Sequence, residues 1–193
     1  MRVHKRFGVL ISCVVALLCA NTAGALITAQ MNLEQLVTQS ERIFVGRVIS
    51  ITESRVTMGG GELPAVTYRL AVSDTFKGEY EEIKGERFTD VTMVGTLKDV
   101  LSGTHPIADF PVLAKGTEYL LFVAQSGPSG MTATMGLAQG CFHVTGSDDN
   151  KVALNLVNNT GLFSGMNVGF ADGEAVPYDA LADMIRSIAE GGS

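Results

Sequence analysis

The chain has 193 residues, 46% of them hydrophobic, with 20 acidic against 14 basic residues and a formal net charge of −6. That length holds one well-buried domain. The acidic balance, with no basic run or basic amphipathic helix, argues against nucleic acid or anionic lipid as a partner. The first stretch reads as an export signal. Arg2, Lys5 and Arg6 form a positive n-region, and Gly8–Ala20 is an apolar run too short to span a bilayer comfortably. Ala23-Gly24-Ala25 then offers the small-x-small pattern that signal peptidase reads. Residues 1–25 are expected to be a cleaved signal peptide, with Leu26 the new N-terminus and the product secreted or periplasmic, without membrane insertion. Lipid attachment at Cys19 is disfavoured, because Leu18 stands where that modification wants a small residue.

Cleavage removes three basic residues and no acidic ones, so the remaining chain carries 20 acidic residues against 11 basic. Cys13 and Cys19 leave with the signal, and Cys141 then has no intramolecular disulfide partner. An exported domain of this kind relies on its core.

The next element is a short helix: Asn32 is placed to cap it, Gln35 stands at the capping-box position, and Leu33, Leu36 and Val37 form one stripe. "RIFVGRVISI" reads as a central strand with a bend or bulge at Gly46, and "RVTMGGGELP" (55–64) as a turn. Val66, Tyr68, Leu70 and Val72 alternate with more polar residues, the pattern of a half-buried strand. "RFTDVTMV" is a third strand, residues 95–115 an irregular connection, and "TEYLLFVA" a fourth and most apolar strand. "MTATMGLAQGCFHVTG" is expected to be a long fifth strand broken at Gly136 or Gly140, with "KVALNL" a sixth across the turn Ser147–Asn150. A glycine-rich segment follows, and Pro177 starts a closing helix with the stripe Tyr178, Leu181, Ile185 and Ile188. The expected fold is mainly β: a five- to six-stranded, closed or nearly closed OB-like barrel with a helix at each end, a sandwich being the alternative. Residues 26–156 would form the barrel domain with its N-terminal helix, and residues 157–193 the glycine-rich segment and the C-terminal helix packed on the barrel.

In their order, "SERIFVGRVISI", "VTYRLAVSDTFKG", "KGTEYLLFVA" and "GCFHV" resemble the blocks of netrin-like OB-fold domains, whose best-known members are the tissue inhibitors of metalloproteinases. The chain is also similar to exported bacterial proteins with the same four blocks. The likeness covers roughly residues 33–145 and implies an OB barrel flanked by helices, with a binding rather than a catalytic role. In the inhibitors an N-terminal cysteine chelates the protease zinc; here Leu26 takes that place and no cysteine lies between Ala25 and Gln139, so zinc chelation is not carried over. Those inhibitors bind through the mature N-terminus and neighbouring loops. The corresponding partner-binding residues here are Leu26, Ile27 and Thr28, with Met58, Gly59, Gly60, Gly61 and Glu62 of the 55–64 turn and residues 95–112 as a further stretch.

Catalytic and metal readings find less support. Cys141 and His143 share one face of a strand, but that spacing does not by itself align sulfur with nitrogen, and a structural placement is favoured. His105, Asp109, Cys141 and His143 would make a metal site only if the 95–115 segment folded onto the fifth strand. "SGPSGM" lacks the second glycine of a nucleophile elbow, "MGGGE" lacks the lysine of a phosphate loop, and Asp148-Asp149-Asn150 lacks the rest of a calcium loop. Arg69, Thr67 and Ser73 suit either a sugar- or peptide-binding face or an ordinary wet one. No catalytic residue, metal or cofactor is therefore expected. The function expected is recognition of another exported protein, a protease being one candidate, with a structural or assembly role in the cell envelope as the alternative.

Overall fold

The computed structural model describes residues 29–105, 107, 109–147 and 150–191. The signal segment and Leu26, Ile27 and Thr28 lie outside the described residues, as do Asp148 and Asp149. Helix α1 (Leu33–Gln39) opens with a capping box: Asn32 Oδ1 accepts from the Gln35 N–H at 2.9 Å, and Gln35 Oε1 accepts from the Asn32 N–H at 3.0 Å. It stops at Ser40, which is extended and whose hydroxyl donates back to Leu36 O at 2.7 Å.

Strands β1 (Arg42–Met58) and β2 (Gly61–Lys77) form one long antiparallel hairpin. The ten-residue turn expected over 55–64 shrinks to two residues. Gly59 and Gly60 have φ of 63° and 79°, and adjacent positive φ values are what a tight hairpin turn needs. Pro64 is accommodated inside β2 because the ladder with β4 begins only at Ala65; on that edge Pro64 serves as an acceptor, its carbonyl taking the Gly95 N–H at 3.0 Å, and no N–H is required of it. Gly46 falls at a register shift, as its bulge reading anticipated; a Cβ there would meet Ala71 O at 3.1 Å.

The remaining elements are β3 (Glu81–Ile83), β4 (Glu86–Val94), α2 (Leu97–Leu101), β5 (Glu118–Val123), a 3-10 turn (Leu137–Gly140), β6 (Cys141–Thr145), β7 (Val152–Asn155), β8 (Val176–Pro177) and α3 (Tyr178–Gly191). The order in the sheet is β3-β4-β2-β1-β5-β6-β7-β8, with every pair antiparallel. The mainly β class and the two terminal helices follow the sequence expectation. The strand count and the closure do not: there are eight strands rather than five or six, and β3 and β8 do not pair to close a barrel. Two physical causes account for this. β3 occupies Glu86–Phe88 on the outer edge of β4. The expected fifth strand is broken where Gly136 and Leu137 both turn left-handed, at φ 59° and 55°, so that its two halves follow β5 separately. The first half lies against β5 through Met135 N–H to Phe122 O at 2.7 Å and Ala124 N–H to Ala133 O at 2.9 Å. It also reaches β4 through Thr132.

Both faces of the sheet are buried at its centre. On one, Ile43, Val45, Leu120 and Phe122 pack under α1 and α3. On the other, Phe44, Leu70, Tyr68, Tyr119, Leu121 and Cys141 form a second core. β5 supplies both cores by alternation, which explains its continuous apolar run. The glycine-rich segment is ordered by two buried asparagines: the Asn155 N–H donates to Asn159 Oδ1 at 2.8 Å, and the Asn159 N–H donates to Asn155 Oδ1 at 2.6 Å. Helix α3 is fixed to β2 through Asp74, whose Oδ2 accepts from Tyr178 OH and from Arg186, each at 3.0 Å.

Candidate partner-binding surface

The hairpin overhangs the rest of the sheet. β5 pairs with β1 only as far as Arg47, and β4 leaves β2 at Ala65, so the tip beyond these points is two-stranded. Met58 and Leu63 flank the turn and are both exposed. At the base of the overhang the chain leaves β4 and enters α2. Thr96 caps that helix by accepting from the Asp99 N–H at 3.2 Å, while its own hydroxyl donates to Asp99 Oδ2 at 2.5 Å. Val100 packs into the core below, which turns Leu101 outward, 74% exposed. A cleft of about 360 Å³ separates the hairpin base (Glu53–Arg55, Pro64 and Ala65) from Gly95, Thr96 and Leu97.

The loop after α2 is pinned by His105. Its Nε2–H donates to Val94 O at 2.7 Å, its Nδ1 accepts from the Ile107 N–H at 3.0 Å, and its ring stacks on Phe110 at 4.7 Å. Both ring nitrogens are thereby engaged. Further along, Asp109 lines a cavity of about 190 Å³ with Gln30, Gly136, Gln139 and Thr160. Gln139 is the residue that the sequence reading missed. Its amide nitrogen donates to Ala29 O at 3.1 Å and its Oε1 accepts from the Met31 N–H at 2.7 Å, so it fixes the first described residues of the chain. The glycine-flanked "GLAQGC" was its only local sign.

The structure thus sets the start of the 95–112 stretch, Gly95–Leu97, across the cleft from the hairpin base, while the expected turn residues, Met58–Glu62, form the hairpin tip beyond it. The 95–112 stretch runs from the hairpin base to the point where the described chain enters. His105, Asp109, Cys141 and His143, which would make a metal site only if brought together, are not gathered: among the described residues no three His, Cys, Asp or Glu side chains group to hold an ion. Cys141 is fully buried opposite Leu121, and burial pushes its thiol well above the ordinary range, which keeps it protonated and poorly nucleophilic. His143 lies opposite Tyr119, with ring centroids 4.9 Å apart, and among the described residues no hydrogen bond joins it to the thiol. Arg69 is committed to holding β3: it pairs with Glu81 and with Asp90 at 3.2 Å and lies over Phe88. Thr67 bonds Ser54 at 3.0 Å and Thr92 at 2.9 Å, and Ser73 donates to Val45 O at 3.3 Å. No protein-family model and no curated protein matches this chain.

Proposed function

We propose that the protein is an exported, non-catalytic binding module with an OB-like core, and that it recognises another exported protein through the hairpin end of its sheet. The observation that carries this reading is the distribution of exposed apolar side chains. Among the described residues, Met58, Leu63, Leu101 and Ile107 are four of the seven large hydrophobics left exposed. All four belong to the hairpin tip, α2 and the loop after it, and exposed apolar residues clustered at one end of a domain mark an interaction surface. The cleft at the hairpin base, between Glu53–Arg55 and Gly95–Leu97, gives an extended segment a place to lie. A protease is the first partner class to test, on the likeness of the sequence blocks to netrin-like domains.

The test is capture from the exported fraction by the protein and by a Leu101→Asp, Met58→Asp variant. One stoichiometric soluble partner, lost in the variant while circular dichroism is unchanged, is expected. Partition into an insoluble envelope fraction would favour the assembly role instead, and equal capture by the variant would place the surface elsewhere.

A further inference from the structure

Beyond the register shift at Val48/Ser50, β1 continues from Ser50 to Met58 in unbroken register with β2. On its other side β5 has ended, and the last bonds across that edge join Val48 to Gly116 and Thr117. The described backbone shows no further pairing there from Ser50 onward. Such an edge is a template for another strand, and natural edges usually blunt it with lysine, proline or a bulge. This run, "SITESRVTM", has no lysine, proline or bulge; its charges are one of each sign, Glu53 and Arg55, which a partner strand in the right register can pair, and Ile51, Thr52, Val56 and Thr57 give it strong β character.

We propose that this edge pairs with the same edge of a second copy, antiparallel and centred on Ser54. The choice of occupant rests on symmetry and charge together. In a two-fold antiparallel pair, residues directly opposite one another share a face and interact, and like charges placed opposite are unfavourable. A register centred on residue 53 or 55 sets Glu53 against the partner's Glu53, or Arg55 against the partner's Arg55. Centring on Ser54 sets Glu53 against the partner's Arg55, and does so twice. Ser54 is also the midpoint of Ser50–Met58, so the register that matches charges is the one that pairs the whole run. Arg55 remains accessible for this, since its contact with Glu62 at 3.4 Å is itself exposed. The pairing leaves the two hairpin tips pointing in opposite directions, and it does not depend on the binding role proposed above.

Sedimentation velocity of the whole protein from about 1 μM to about 100 μM tests the association. A reversible dimer is expected, its Kd weakened about tenfold or more by Glu53→Arg or by Arg55→Glu and restored by the two together. Ser54→Cys is expected to form an intermolecular disulfide under mild oxidation, above the wild-type background. Opposed Cα atoms lie about 4.5–5.5 Å apart, within disulfide reach, whereas Thr52→Cys, set against the partner's Val56, should not cross-link. A monomer throughout, a dimer indifferent to the single reversals, or a double variant that fails to recover would each overturn the proposal.

Discussion

Thr92 and Thr132 hold each other by two hydrogen bonds: the Thr132 N–H donates to Thr92 O at 2.8 Å, and the Thr92 N–H donates to Thr132 Oγ1 at 2.8 Å. They join β4 to the segment that follows β5, where no strand ladder runs. Thr132 is buried, so its hydroxyl satisfies a backbone donor that water reaches poorly. Thr132→Val keeps the shape and removes the acceptor, and should cost about 1–3 kcal/mol in urea unfolding. Thr132→Ser should cost little. Equal losses from the two would show that the methyl group, not the hydroxyl, matters here.

A second expectation concerns Cys141 and alkaline pH. Burial raises the Cys141 thiol and pushes the Tyr68 phenol up to about 12, while Tyr80 and Tyr178 are raised mainly by burial as well. The unfolded chain loses these protons first, near pH 8.5 for the thiol and 10 for the phenols, while the native state retains them. Stability from these groups is therefore full below about pH 8 and falls as pH rises past the unfolded values. Cys141→Ala should cost about 1 kcal/mol at pH 7 and remove the earliest part of that decline. A decline between pH 8 and 10 that is unchanged in the variant would refute the assignment to Cys141.

Gly140 provides a third. A Cβ at this position would overlap the carbonyl oxygen of Met135, whose own N–H bonds Phe122 O. Gly140→Ala should destabilise by at least about 2 kcal/mol, in the range of overpacked cores. Gly127→Ala, with only the Ser129 hydroxyl at 3.8 Å, should be close to neutral. Chemical denaturation of the two variants side by side decides it.

The parts of the fold that rest on local chemistry were legible in the sequence. The Asn32 cap and Gln35 announce α1, the alternation from Val66 to Val72 marks β2, and Pro177 marks the start of α3. The turn at Gly59-Gly60 is longer in the sequence pattern than in the structure, because three glycines and a proline in sequence do not show that only two residues leave the strands. β3 and β8 are too short to carry a periodic signal. The candidate surface was legible in part. The glycine turn stood out, but the exposure of Leu101 depends on Val100 finding the core, and the role of Gln139 depends on a contact more than a hundred residues away.

The core beneath α1 has a consequence for the order in which the chain becomes ordered. Leu33 and Leu36 are buried with Leu162, Leu181 and Ile185, and the Leu33 N–H donates to Leu162 O at 2.7 Å. The helix synthesised first among the described elements is thus completed by the one synthesised last. During synthesis its apolar stripe has no native surface to cover it, whatever the local strength of its cap. Contacts of such long sequence separation slow folding and leave intermediates with exposed apolar surface. Loss of α3 therefore uncovers the apolar stripe of α1, and a chain halted before Leu181 still lacks side chains that complete that core.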